Sequence, residues 1–155
     1  MGVEIERKYL VSNDDWRTLG IPVLFAQGYL VADGYRTVRI RVAGQDAFLT
    51  IKGVSKGFSR PEFEYEIPVE EAIEILKLCS IPVIEKFRTK VVFEGKTWEV
   101  DEFQGENKGL IMAEIELKSE DEPFSIPPWI GKEVTGENRY FNSRLAVNPF
   151  KNWRK

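Results

Sequence analysis

Histidine is absent from all 155 residues, which removes every Ser-His-Asp or Cys-His catalytic arrangement and every imidazole metal site. Carboxylates are then the metal ligands that remain, and they select hard cations such as Mg²⁺ or Mn²⁺. Cysteine occurs once, at Cys79, so no disulfide can form within the chain. Its neighbours Ile75, Leu76 and Leu78 put it in an expected amphipathic helix, as a buried and unreactive thiol. No apolar run approaches the ~18 residues of a membrane span, and no charged start with an apolar centre marks a secretory leader. The opening Met-Gly lacks the rest of a myristoylation pattern, because Glu6 stands where that pattern needs Ser or Thr. A large excess of either charge is also missing: 22 Lys and Arg against 25 Asp and Glu leave a net charge of -3, which gives no general footprint for nucleic acid or membrane. The expectation is a cytoplasmic protein that binds neither, with any anion site built locally.

What the chain does have is alternation. Glu4, Glu6 and Lys8 share one parity of an extended stretch, because side chains two apart in a strand face the same way. The pattern recurs. Arg39 and Arg41 oppose Val38, Ile40 and Val42 within 35–42, and Thr50 and Lys52 oppose Leu49 and Ile51 within 47–52. Arg60, Glu62, Glu64 and Glu66 alternate with Phe63, Tyr65 and Ile67, while Lys86, Arg88 and Lys90 alternate with Phe87, Val91 and Phe93 within 83–94. Glu99 and Asp101 face away from Trp98 and Val100 within 97–103, and Glu114, Glu116 and Lys118 oppose Ile115 and Leu117 within 110–118. A strand over 23–31, one helix over 69–79, a short helical turn over 16–19 and short helices near 128–134 and 138–145 complete the expectation. The length is that of one domain, and residues 1–155 are read as one. Seven or eight strands joined by short turns with so little helix imply an α+β chain built on a largely antiparallel sheet or barrel.

The charged parity is sorted. Acids gather at Glu4, Glu6, Asp101, Glu114 and Glu116, and bases at Arg39, Arg41, Lys52, Lys86 and Arg88. An open sheet with this face in water needs no such sorting. A closed barrel of eight strands, about wide enough for one small ligand, puts the same parity inside. Uncompensated buried ions cost several kcal/mol each, so such an interior must be wet or filled. A divalent cation would neutralise the acids and a polyanion the bases. The residues alone leave the solvated face and the ligand tunnel both open.

The motifs carry a resemblance that bears on this choice. Glu4-x-Glu6-x-Lys8 resembles the ExExK signature of the triphosphate tunnel metalloenzymes, the CYTH superfamily, which includes class IV adenylate cyclase and thiamine triphosphatase. Arg39-x-Arg41, Thr50-Ile51-Lys52-Gly53, Arg60-x-Glu62-x-Glu64, Glu85-Lys86-x-Arg88, Trp98-x-x-Asp101-x-Phe103 and Ala113-Glu114-Ile115-Glu116 resemble further family blocks in family order. The likeness spans nearly the whole chain. It implies an eight-stranded antiparallel closed β-barrel, a triphosphate tunnel, with a few helices packed outside. It also implies metal ligation by Glu4, Glu6, Glu114 and Glu116 with Asp101 assisting, and phosphate contacts from Lys8, Arg39, Arg41, Lys52 and Arg88. Glu62 and Glu64 join the substrate-binding set, and Tyr29 is expected to reach into the tunnel from the second strand. Lys86 is expected to face Lys8 in a lysine pair, one like charge lowering the other's pKa, and one of the two is expected to act as general base. Arg139 is a further candidate for the substrate face, and the order of Lys151, Trp153, Arg154 and Lys155 stays open.

The short length resembles the bacterial members that hydrolyse inorganic tripolyphosphate. The implied activity is therefore a Mg²⁺- or Mn²⁺-dependent tripolyphosphatase acting on a small-molecule triphosphate, with a homodimer as the expected assembly. The alternatives are a class IV type adenylate cyclase, a nucleoside or thiamine triphosphatase, a polyphosphate-binding module and a plain interaction domain. The His-Phe-Arg run of the closest cyclases is replaced here by Tyr35-Arg36-Thr37. Five carboxylates would repel the ligand of a module that only bound anions.

Overall fold

Each alternating stretch forms a strand, and every named pairing is antiparallel. The computed structural model describes residues 2–153. Its strands are β1 (Val3–Val11), β2 (Val23–Ala32), β3 (Thr37–Ala43), β4 (Asp46–Lys52), β5 (Ser59–Ile67), β6 (Ile84–Phe93), β7 (Lys96–Phe103), β8 (Ile111–Glu116) and β9 (Ile130–Glu133). The hydrogen-bonded order is β5-β4-β3-β2-β6-β7-β8-β1, and β1 returns to β5 through Val3 opposite Pro61, Glu4 opposite Arg60 and Ile5 opposite Ser59. That pairing closes an eight-stranded barrel. Beyond Ile5, β1 leaves β5, and the vacated edge takes β9, with Tyr9 opposite Glu133 and Val11 opposite Ile130. Arg7 fastens this addition by donating Nε and Nη2 to the two carboxylate oxygens of Glu133 at 2.8 and 2.7 Å.

The apolar parity faces outward and is covered piece by piece. Helix α1 (Val69–Leu76) lies over β3 and β4, closing Ala72 against Ile40 and Ala47. The turn at Asp15–Thr18 and β9 bury Trp16, Trp98 and Trp129 with Tyr9; the Trp98 ring meets Tyr9 at 5.6 Å and Trp129 edge-on at 6.1 Å. Burying a large side chain of this kind stabilises by ~1.5–3 kcal/mol. Helix α2 (Asn142–Val147) brings Leu145 and Ala146 onto Tyr29, Ile84 and Phe103 at one end of the barrel.

Four differences from the sequence reading have physical causes. The segment near 128–134 is the strand β9, because β1 offers an open edge there. Strand β3 starts at Thr37 because Asp33 Oδ1 accepts from the Tyr35 and Arg36 N–H groups and holds a turn up to that point. Helix α1 ends at Leu76, so Cys79 follows the helix; its Sγ donates to the Ile75 carbonyl at 3.8 Å, and burial pushes the thiol's pKa up. Strand β8 ends at Glu116, leaving Lys118 outside the sheet. Trp153 packs edge-on against Tyr140 and Phe150, and Lys151 pairs with Glu106. Arg154 and Lys155 lie outside the described residues. No helix among the described residues is long and apolar enough to cross a membrane.

Candidate active site

Closure turns the charged parity inward onto a cavity of about 1100 Å³. Strand β1 contributes Glu4, Glu6 and Lys8, β2 contributes Tyr29, and β3 contributes Arg39 and Arg41. Strands β4 and β5 add Lys52, Glu62 and Glu64, β6 adds Lys86 and Arg88, and β8 adds Glu114 and Glu116. The barrel therefore brings together all the residues singled out in the sequence except two. Asp101 is not in the lining, and Arg139 lies outside the barrel, its guanidinium 4.3 Å from the Trp153 ring.

The basic wall is crowded. Arg39 Nη2 donates to Thr50 Oγ1 at 3.2 Å, and Arg39 and Arg41 share one Glu64 oxygen at 3.6 Å each. Burial and the neighbouring Arg39 and Arg88 cations push Arg41 down to about 10. The buried Nε–H groups of Arg39, Arg41 and Arg60 have no hydrogen-bond acceptor in the structure. Such groups cost about 1–3 kcal/mol each. Their arrangement, several cationic donors with too few anions, suits a ligand rich in anionic oxygens.

The acidic wall is held together by the lysines. Lys52 Nζ donates to both Glu4 oxygens at 3.0 Å and lies 3.5 Å from Glu62, while Lys8 Nζ stands 3.8 Å from Glu114 and donates to the Tyr140 carbonyl at 3.3 Å. Burial pushes Glu4 up, but Lys52 outweighs it and the carboxyl sits below its ordinary value. Glu6 goes the other way: burial, then Glu114 and Glu4, push it well up, and side-chain hydrogen bonding with Glu114 adds to the rise. Burial would also raise Glu114, yet Lys8, the hydrogen bonding with Glu6, Arg88 and Lys86 hold it well below the usual carboxylate range. Burial, Glu4 and Glu99 raise Glu116.

Among the described residues no three acids stand together as a ready-made metal cage. The donor set nevertheless fits a hard divalent cation. Two carboxyls pressed together by the β1 and β8 pairing both ionise most readily when a cation joins them, and the β1 and β8 register, with Glu6 opposite Glu116 and Lys8 opposite Glu114, puts the four carboxyls of Glu4, Glu6, Glu114 and Glu116 on one pair of strands.

Asp101, implied by the resemblance to assist a metal, lies behind the lining of the cavity. It lies directly across from Arg88 in the β6 and β7 register, and accepts from Arg88 Nε and Nη2 at 2.7 and 2.8 Å while Lys86 Nζ stands 2.7 Å from Oδ2. Asp101 and Lys86 are 1 % and 2 % exposed. Both oxygens are thus committed to cations, and Asp101 anchors the basic wall from behind. Burial pushes Lys86 down to about 7, with Arg88 assisting and Asp101 resisting.

Glu99, which pairs with Arg88 at 3.2 Å, and Lys90 were read on the charged parity but not among the candidate site residues, and both line the cavity. Other lining residues went unread in the sequence. Thr135, Asn138, Phe141, Asn142 and Ser143 come from the tail and carry no alternation signal. Phe25 lies beneath the guanidinium groups of Arg41 and Arg88, at 5.0 and 4.9 Å.

Comparisons with known proteins agree with the barrel. The family model described as the CYTH domain matches residues 2–144. A protein of Acetivibrio thermocellus named inorganic triphosphatase is 56% identical over 156 residues, covering 100% of both chains. One of Nitrosomonas europaea with the same name is 36% identical over 151 residues, covering 94% of this chain and 97% of its own. A crystal structure of an inorganic triphosphatase superposes with a TM-score of 0.66 at 34% identity, covering 95% of this chain and 96% of that one.

Proposed function

The chain belongs to the CYTH family, and from that premise we propose that it is an inorganic triphosphatase, hydrolysing tripolyphosphate to diphosphate and phosphate inside the barrel. Two relatives bearing that name, one of them 56% identical over its whole length, support the activity. The observation that carries the reading is the set of buried arginine Nε–H groups without acceptors, on a wall facing paired carboxyls.

Lys8, Arg39, Arg41, Lys52 and Arg88 bind the phosphate oxygens, and charge that develops on them during phosphoryl transfer meets donors already in position. Glu4, Glu6, Glu114 and Glu116 are the residues that would hold the metal, Mg²⁺ or Mn²⁺. When bound, that ion supplies Lewis acidity at phosphoryl oxygens and a more acidic water. Entering phosphate displaces the lysines from the carboxylates they now hold, so Lys52 and Lys8 exchange Glu4 and Glu114 for substrate. Lys86, with a pKa of about 7, is the group able to take a proton at neutral pH. Asp101 keeps Lys86 and Arg88 in place. Glu62 and Glu64 orient Lys52 and the two β3 arginines.

Phosphate release from tripolyphosphate, ATP and thiamine triphosphate, each with Mg²⁺ or Mn²⁺, tests the proposal, with cyclic AMP measured alongside. The expected result is metal-dependent release that is fastest from tripolyphosphate. No release from any of the three overturns the reading, and cyclic AMP as the main product replaces it with a cyclase.

A further inference from the structure

Gln27 and Asn142 carry no charge and belong to none of the motifs, yet they stand between two side chains of the tunnel. Gln27 lies on the inward parity of β2, between Phe25 and Tyr29, and is completely buried. Its Nε2 is 2.8 Å from the Tyr29 hydroxyl and 3.2 Å from Asn142 Oδ1. Asn142, the first residue of α2, receives Lys86 Nζ on the same Oδ1 at 2.8 Å.

The order of donors and acceptors in this series admits one arrangement. A lysine nitrogen donates, so the Asn142 atom that meets it is the carbonyl oxygen. That oxygen also faces Gln27, which must therefore present its NH₂ group. The second N–H of that group reaches Tyr29, whose hydroxyl oxygen must accept. Tyr29 lines the tunnel, and with Gln27 donating to its oxygen, its own proton is directed away from Gln27. The reverse amide would bring Gln27 Oε1 against Asn142 Oδ1, oxygen on oxygen. The arrangement is kept although it leaves Gln27 Oε1 buried without a hydrogen-bond partner, which a freely chosen amide orientation would avoid.

We propose that Gln27 and Asn142 are positioning residues that turn the Tyr29 hydroxyl into a hydrogen-bond donor for a phosphate oxygen in the tunnel, with Lys86 fixing the direction of the series. This rests on the triphosphatase reading. Neither residue touches substrate through the groups used here; Gln27 acts through Tyr29, and Asn142 through Gln27 and Lys86.

Steady-state kinetics on tripolyphosphate with Mg²⁺ test it, using Gln27→Leu, Tyr29→Phe, Asn142→Leu and the double variant of Gln27→Leu with Tyr29→Phe. Gln27→Leu is expected to lower kcat about tenfold, the rate equivalent of one hydrogen bond, with KM changed less than about twofold. On the Tyr29→Phe background the same substitution should cost nothing further. Gln27→Met serves as the second variant and keeps the length. Its thioether donates nothing to Tyr29, so kcat falls about as far as for Gln27→Leu. Asn142→Leu also removes the acceptor of Lys86 Nζ, so it lowers kcat with part of the loss persisting on Tyr29→Phe. Losses that add in the double variant of Gln27→Leu with Tyr29→Phe, a raised KM at unchanged kcat, or wild-type kcat in Gln27→Met each overturn the positioning role. A wild-type enzyme that turns over tripolyphosphate alongside any of these sinks this inference alone, whereas no turnover by wild type sinks the function on which it rests.

Discussion

Replacing Asp101 with Asn separates an anchor from a metal ligand. Asp101 faces two buried cations, Arg88 through two hydrogen bonds and Lys86 at 2.7 Å. Removing one partner of a buried pair destabilises by about 3–5 kcal/mol, because the remaining charge is left without compensation. Three facts place Asp101→Asn toward the lower end. The amide oxygen still accepts one bond, Glu99 still pairs with Arg88 at 3.2 Å, and Lys86 can shed its proton, since loss of the opposing carboxylate moves its pKa down from about 7. For a chain of this size each kcal/mol lowers Tm by about 2–4 °C, so ~3 kcal/mol corresponds to a fall of ~6–12 °C. The assay is thermal unfolding without metal and then with Mg²⁺ in steps. An ion at ~100 times its Kd adds ~2.7 kcal/mol to whichever form binds it, and the anchor role predicts the same increment in both proteins above different baselines. An unchanged metal-free Tm with the Mg²⁺ increment abolished would refute the anchor and restore Asp101 as a ligand.

Glu6→Gln should raise the metal-free Tm at neutral pH and shrink the Mg²⁺ increment. The raised pKa of Glu6 means that its contribution to stability is full below the unfolded value and is lost as pH rises through the folded one, so the isosteric amide relieves a strain that only a cation otherwise relieves; a lower metal-free Tm would contradict this. Lys86→Met should remove a pH dependence of opposite sign. The folded pKa of about 7 lies below the ordinary lysine value of 10.5, so the unfolded chain binds the extra proton between those values and wild type gains stability over that window as pH rises. Urea unfolding at intervals from pH 7 to 10 should show wild type gaining on the variant, and parallel curves would count against the assignment. Gly20→Ala should destabilise by about 1–3 kcal/mol, because the added Cβ would collide with the Lys90 carbonyl oxygen; denaturant midpoints read this directly.

The barrel was legible because its chemistry is written twice per strand. A closed wall needs one charged and one apolar parity; β3 carries both without interruption, and β1, β5, β6 and β8 carry both over most of their length. Strand β9 was not legible. Pro127 and Pro128 precede it, Gly131 interrupts its four residues, and its cause is the edge of β1 more than a hundred positions earlier. Charge parity also located the tunnel residues, but not how deep each one lies. Glu99 and Asp101 share a face of β7, and only the register opposite Arg88 makes the second an anchor. Gln27 and Asn142 escaped because the sorting was by charge and they have none. The inward parity of β2, running Phe25, Gln27 and Tyr29, was the available signal.

The divided edge of β1 also sets an order on biosynthesis. Residues 3–5 find their partners at 59–61, but residues 6–10 wait for 112–116 and residues 9–11 for 130–133. The first strand of this barrel to be synthesised is therefore the last to be fully paired. Pairings so distant in sequence are slow to form, since loop closure comes before any contact can compensate for it. A nascent chain halted before residue 111 has an incomplete wall, an unpaired and alternating first strand, and basic side chains already exposed to any polyanion nearby. Emergence of residues 112–133 is thus the step that turns an open, sticky sheet into a tunnel.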